Sequence, residues 1–175
     1  KQSATTLQSM KNNPFLRKSP LQYQAPEFDK IKDDHYKPAF DYGLKEQLAN
    51  IDKIINNPAA PTFENTVLAL ENSGEVLARA TILFYNLTGS NTNDYLQKVE
   101  EEYAPIFAAH SDKINLNEKL YKRIKAVNID KLDAESKRLV EYYIQNFELA
   151  GANLSAENKE KLKVINQQLA TLSTQ

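Results

Sequence analysis

Between its proline and glycine interruptions the chain places apolar residues at every third or fourth position rather than alternating them. That is the period of helices with one buried face. The other positions are rich in Lys, Glu, Ala and Gln, which lose little on entering a helix. The expected fold class is therefore all-α: a multi-helix bundle of about six to seven helices behind an extended, proline-rich N-terminal segment. Gly43, Gly74, Gly89 and Gly151 are too scattered to assemble a phosphate-cradling loop, so ordinary nucleotide chemistry is excluded. The absence of Cys removes disulfide frameworks, zinc ribbons, iron-sulfur clusters and thiol nucleophiles together. With 22 basic and 23 acidic residues, the chain lacks the basic excess that binds phosphate backbones, so no nucleic-acid partner is expected. No apolar run approaches the ~20 residues needed for a membrane span, and none is expected.

Residues 1–13 read as a flexible tail, polar and poor in apolar groups, and residues 14–175 as the helical domain. Pro14, Pro20 and Pro26 favour extended backbone, pinned by Phe15, Leu16, Leu21 and Tyr23. The first long helix is expected from Tyr36, with Pro38 in its first turn, to Asn56-Asn57-Pro58, and its core stripe is Phe40, Leu44, Leu48, Ile51 and Ile55. A short helix capped by Thr62 runs from Phe63 to about Asn72, and Ser73-Gly74 breaks or kinks it. The segment Glu75–Leu87 is apolar on nearly every side of a helical wheel, which predicts a helix at the centre of a bundle. Thr92-Asn93-Asp94 caps a helix reaching about His110, kinked at Pro105, with Tyr95, Val99, Tyr103, Ile106 and Phe107 inward. Leu116–Val127 reads as a shorter, weakly capped helix. Asp133–Ala150 is acidic in its first turn and followed by Gly151 at the C′ position. A last helix opens at Ser155 and carries Leu162, Ile165, Leu169 and Leu172.

Little in this chain points to catalysis. A zinc hydrolase needs converging imidazoles, commonly at i and i+4. The two histidines, His35 and His110, lie in different elements, and Asp33-Asp34-His35 reads as a helix entry. Glu100-Glu101-Glu102 and the pair Glu157 and Glu160 sit among polar residues as solvated charge runs. No serine occupies a nucleophile elbow, so no catalytic, cofactor-binding or metal-binding residue is assigned. One pattern exceeds what a surface helix needs. Around Asp133–Ala150 the apolar residues cover an arc of roughly 220°, against the ~100° of a single core-facing stripe. Adjacent Tyr142 and Tyr143 point about 100° apart, so one of them sits at the core border and faces a groove or another domain, or both pack within the bundle.

Several stretches have a familiar order. Asn13-Pro14-Phe15, His35-Tyr36-x-Pro38-Ala39-Phe40, Thr62-Phe63-Glu64-Asn65-Thr66, and Leu68-Ala69-Leu70-Glu71-x-Ser73-Gly74-Glu75 are followed by the Thr92-Asn93-Asp94 turn. Arg138-Leu139-Val140-Glu141 and Phe147-x-Leu149-Ala150-Gly151-Ala152 complete the set. In register from about Asn13 to Gln175, they resemble the amino-terminal region of the thimet-oligopeptidase-like (M3) zinc metallopeptidases, in the peptidyl-dipeptidase branch rather than the oligopeptidase A branch. The resemblance implies the helical wall of a larger, almost wholly α-helical enzyme whose two lobes enclose a deep channel. It also implies zinc held by a downstream His-Glu-x-x-His helix and a later Glu, and release of C-terminal dipeptides from oligopeptides. None of those catalytic residues is in this sequence, so the chain alone is expected to be inactive and metal-free. Its partners are then the catalytic domain of the same chain and, in the parent, oligopeptide substrates. An apolar surface left for the missing lobe would also favour self-association. The alternative is a free-standing all-α binding module of the cell envelope using the Tyr142/Tyr143 face; a helical spacer is disfavoured by the apolar wheel of Glu75–Leu87. The leader ahead of Asn13 suits an exported envelope protein with its signal removed, with cytoplasmic residence left open.

Overall fold

The computed structural model describes residues 12–174, and among them the regular structure is helical, with no strand. Six helices have eight residues or more: α1 (Tyr36–Ile55), α2 (Glu75–Ser90), α3 (Asp94–Asn115), α4 (Glu118–Lys125), α5 (Ala134–Leu149) and α6 (Ala156–Leu172). Between α1 and α2 the chain makes a π-helical segment, Phe63–Leu68, that continues through Ala69–Glu71 into a 3₁₀ turn at Asn72–Gly74. That turn is the break expected at Ser73-Gly74. The described residues cluster in two compact units, one from residues up to Gln47 together with Gly74–Val99, the other from Leu48–Ser73 and the chain from Glu100 onward.

The helices begin where a short polar side chain can satisfy one of the unpaired N–H groups of the first turn. The N–H of Asn65 donates to Thr62 Oγ1 at 3.2 Å, that of Leu96 to Asn93 Oδ1 at 2.9 Å, and that of Leu120 to Asn117 Oδ1 at 3.0 Å. Asp133 and Ser155 do the same for Ser136 and Asn158 at 2.9 and 3.3 Å. The Leu116–Val127 helix is thus better capped than its sequence promised, and it is shorter. At the other end of α5, Gly151 takes φ of +97° as the expected C′ residue.

In the first unit an aromatic cluster forms the core. The ring of Tyr36 lies 5.0 Å from Phe15, 5.2 Å from Phe84 and 6.0 Å from Phe40, and Phe40 meets Phe84 edge-on at 5.2 Å. Gly43 lets α1 approach α2, because a Cβ there would lie 2.8 Å from the backbone nitrogen of Leu77. The expected tail covers Lys1–Asn13; Lys1–Lys11 lie outside the described residues, whereas Asn13 is buried. Its Oδ1 accepts from the N–H of Phe15 at 3.0 Å, and its Nδ2 donates to the carbonyl of His35 at 2.8 Å. The proline-rich segment is pinned by Phe15 and by the buried carboxylate of Glu27, which pairs with Arg17 at 2.5 Å and Lys30 at 2.6 Å. Leu21 and Tyr23 were expected to pin it and do not. Both are exposed, Tyr23 to 94%, and Tyr23 and Gln24 adopt φ of 57° and 56°.

The second unit buries Ile51, Ile54, Val67, Leu70, Ile114, Leu120, Ile124, Val127, Val140 and Phe147 around one core, with Tyr143 and Ile144 packed against its margin. Arg123 of α4 fastens the loop before Phe63 to this core. Its Nη1 donates to the carbonyl of Asn57 and its Nη2 to that of Ala59, each at 2.9 Å.

Three expected core stripes are placed differently. In α3 the buried line runs through Leu96, Val99, Tyr103, His110 and Ile114, while Tyr95 and Ile106 are exposed. The same period carries the helix past His110 to Asn115, and Pro105 lies inside it, as expected of a helix that continues beyond its proline. Helix α2 buries Val76, Ala80, Leu83 and Phe84 on one face only, leaving Ile82 64% and Tyr85 45% exposed. In α6 no residue is buried, so Ile165, Leu169 and Leu172 are not core residues among the described part of the chain.

Candidate functional site

Helix α5 positions the two tyrosines singled out by the sequence. Val140 and Phe147 fall on its inner face, and Phe147 stacks against Tyr121 of α4 with centroids 6.4 Å apart and ring planes 11° from parallel. With 100° between successive residues, Tyr143 falls close to that face and Tyr142 on the far side. The structure follows this geometry. Tyr143 packs at the margin of the core, and its hydroxyl donates to the carboxylate of Glu71, 72 residues away in sequence. Burial, reinforced by the hydrogen bond and the charge of Glu71, pushes the Tyr143 phenol well above its ordinary range. It stays protonated at neutral pH and serves as a committed donor, not as a proton shuttle. Tyr142 is 50% exposed and meets the Tyr143 ring edge-on at 5.9 Å and 74°. The exposed edge of the pair is the Tyr142 ring, and the Glu71 carboxylate beside the pair is already engaged by the Tyr143 hydroxyl.

A second network lies at the end of the same helix. Tyr121 donates to Glu148 Oε1 at 2.5 Å, Lys125 pairs with Glu148 at 3.7 Å, and the Lys125 ammonium sits 5.2 Å from the Tyr121 ring centroid. Sequence reasoning did not find this cluster, nor the Arg123 clamp. Glu148 lies 27 residues from Tyr121, and Arg123 lies 66 residues from Asn57, with no motif to link them.

The histidines are structural. At the entry to α1, His35 Nδ1 accepts from the N–H of Lys32 at 3.1 Å, and the neighbouring Asp33 carboxylate accepts from Asn93 at 2.8 Å. His110 is buried in α3, where loss of solvent, and next the charge of Lys113, lowers its pKa and favours the neutral ring. Among the described residues no group of three His, Cys, Asp or Glu side chains comes together to hold a metal ion. Glu157 and Glu160 form solvated ion pairs with Lys161 and Lys163, each at 2.6 Å.

One open groove of about 590 Å³ is lined by Pro105 of α3 and by Val164, Gln167, Gln168, Thr171 and Leu172 of α6. Among the described residues its lining carries no charged group, and it includes the exposed Val164 and Leu172 of α6.

No family model matches the chain. Individual proteins do. The dipeptidyl carboxypeptidase of Salmonella typhimurium is 49% identical over 170 residues, which is 95% of this chain and 25% of that protein. The dipeptidyl carboxypeptidase of Escherichia coli is 47% identical over 167 residues, or 93% of this chain and 24% of that protein. Oligopeptidase A of Escherichia coli matches over the same length at 25% identity. The chain therefore spans about a quarter of the length of the curated relatives it matches. The identity gap between the two groups favours the branch to which the Leu-Ala-Leu-Glu-x-Ser-Gly-Glu stretch pointed.

Proposed function

We infer that this chain, related over nearly all of its length to the dipeptidyl carboxypeptidases, is an amino-terminal helical portion of an M3 zinc metallopeptidase that trims dipeptides from the carboxyl ends of oligopeptides. The observation that carries the reading is 49% identity sustained across 95% of the chain but only a quarter of the relative. Resemblance of that kind, collinear and uninterrupted by any motif for metal or nucleophile, fits a non-catalytic part of a longer polypeptide.

The donor set supports the same division of labour. Zinc in such an enzyme would polarise the scissile carbonyl and activate water. The residues present here do not fit that ion: His35 is engaged at a helix entry, His110 is buried within α3, and residues 1–11 contain no His, Cys, Asp or Glu. No step of peptide hydrolysis is assigned to this chain. Its role is positional. Rigid helices that wall a channel admit an extended peptide and exclude a folded one, so selection by size is separable from the bond-breaking groups. The half-exposed Tyr142 ring, braced by a Tyr143 that Glu71 holds, is the face of α5 best suited to meet the other lobe or the peptide.

The test is a reporter peptide with a chromogenic C-terminal dipeptide, offered with zinc to the chain alone and to the full-length parent. The parent releases dipeptide and loses that activity on chelation, and the chain alone releases none. Metal-dependent release by the chain alone would overturn the reading.

A further inference from the structure

We propose that α6 is a hinged flap on the second unit, which opens as one piece about Asn153 and Leu154 while α3, α4 and α5 stay folded, and that the buried Asp112 carboxylate is the group that keeps it near opening. The proposal goes beyond the family reading above and does not depend on it.

Helical geometry places the contact. On α3 the buried line through His110 and Ile114 occupies one side. Asp112, two residues from each, falls roughly 160° away, on the same side as Pro105 seven residues earlier. There α6 meets it. Asn166 Nδ2 donates to Asp112 Oδ1 at 2.8 Å, and Lys159 Nζ donates to the carbonyl of Leu116 at 3.3 Å. The residues of α6 on that side, Lys159, Leu162, Lys163, Asn166 and Ala170, are partly buried, and none of the helix is fully so. By contrast α4 buries Leu120, Tyr121 and Ile124, and α5 buries Val140 and Phe147. Farther along, the open groove of about 590 Å³ lies between Pro105 and Gln167, Gln168 and Thr171.

Burial of an apolar face is what normally holds a helix in a protein, and α6 draws little from it. Its best polar contact carries a cost. Asp112 is 7% exposed, Asn166 engages one of its oxygens, and Oδ2 has no hydrogen-bond partner among the described residues. Nearby cations do not offset the charge. Lys113 beside it on α3 is exposed, Lys159 is directed to the Leu116 carbonyl, and Lys163 pairs with Glu160 at 2.6 Å. A carboxylate taken from water with one oxygen unpaired gives back much of what its hydrogen bond contributes. Release of α6 returns that carboxylate to water.

The hinge lies between two fixed points. The N–H of Gly151 donates to the Glu148 carbonyl at 3.1 Å and that of Ala152 to the Phe147 carbonyl at 2.8 Å, which closes α5 and leaves Ala152 buried. Ser155 caps the first turn of α6. Asn153 and Leu154, the residues between, are exposed.

Amide hydrogen exchange of the 175-residue chain, resolved by peptide, tests the flap. A released 17-residue helix is marginal in water, so opening removes its amide protection. After correction for intrinsic rates, residues 157–172 should exchange at least about a hundredfold faster than residues 137–149 of α5, and low urea should leave that rate unchanged. Asp112→Asn keeps the acceptor for Asn166 and removes the buried charge, so exchange of α6 should slow by about tenfold. Asn166→Asp sets a second carboxylate against the first and should quicken it by about tenfold. Exchange of α5 is the internal reference for a folded core in each protein, and the wild-type comparison stands without either variant. The proposal is overturned if α6 in the wild type exchanges as slowly as α5. It is overturned equally if Asp112→Asn leaves α6 unchanged or faster, or if Asn166→Asp has no effect on it.

Discussion

Tyr36 has no exposed surface, and its hydroxyl has no hydrogen-bond partner among the described residues. Removing that hydroxyl by Tyr36→Phe keeps the ring contacts to Phe15, Phe40 and Phe84 and deletes an unsatisfied polar atom. A buried hydroxyl without a partner costs about 1–3 kcal/mol, so the variant should be neutral or more stable by up to about 2 kcal/mol. Tyr36→Ala, which empties the centre of the cluster, should cost about 3–5 kcal/mol. Burial, with a smaller contribution from Asp33, pushes the Tyr36 phenol up to about 12. The unfolded chain ionises this group near pH 10 while the folded chain does not, so the unfolded state binds fewer protons and stability falls as pH rises from 10 to 12. At 1.36 kcal/mol per unit, the loss attributable to this one group is about 2 kcal/mol by pH 12. Urea unfolding of wild type and Tyr36→Phe at pH 7 and across the alkaline range measures both effects, and the variant should show a correspondingly shallower alkaline decline. If Tyr36→Phe is destabilised by more than 1 kcal/mol at pH 7 and keeps the full alkaline slope, the account of this core is wrong.

Other perturbations test separate parts of the structure. Arg123→Ala removes both donors that hold the Asn57 and Ala59 carbonyls and should cost about 1–3 kcal/mol by chemical denaturation, with no rescue by Arg123→Lys because an ammonium cannot span the two acceptors in the same fork. Gly43→Ala places a Cβ 2.8 Å from the Leu77 backbone and should destabilise by about 1–3 kcal/mol, whereas Gly89→Ala meets nothing within 4 Å and should be neutral or mildly stabilising. Glu27 is held below the usual carboxylate range, first by its hydrogen bond to Lys30, so its contribution is complete above the unfolded value of 4.5 and is lost as pH falls through the folded one. Glu27→Gln should therefore lower the thermal midpoint at pH 7 and narrow its difference from wild type in acid, as calorimetry would show.

The positions of the helices could be read from local chemistry, because caps and breakers act over three or four residues. Thr62, Asp133, Ser155 and Gly151 each do in the structure what their residue type implies. Which apolar face finds a neighbour could not be read in the same way. The wheel of α2 shows that Ile82 and Tyr85 are fit for burial, but the amphipathic pattern is silent on whether the covering surface lies within these 175 residues. Stripe 165, 169, 172 of α6 poses the same problem more sharply. The chain spans about a quarter of the length of its relatives, and these apolar residues are exposed among its described part. Tyr142 and Tyr143 were legible as an unusual pair, while the Glu71 contact that distinguishes them was not, since nothing in the sequence links positions 71 and 143. The exposed Tyr23 at positive φ, between Pro20 and Pro26, had no local signal, because tyrosine rarely adopts that backbone conformation.

The central claim is that this chain is one non-catalytic part of a longer zinc peptidase, and reading the natural transcript beyond the codon for Gln175, together with the intact mass of the polypeptide it encodes, tests it most directly. The account predicts an uninterrupted frame giving a protein about four times this length, with a His-Glu-x-x-His helix downstream. A stop codon immediately after Gln175, with an intact mass to match, would contradict it.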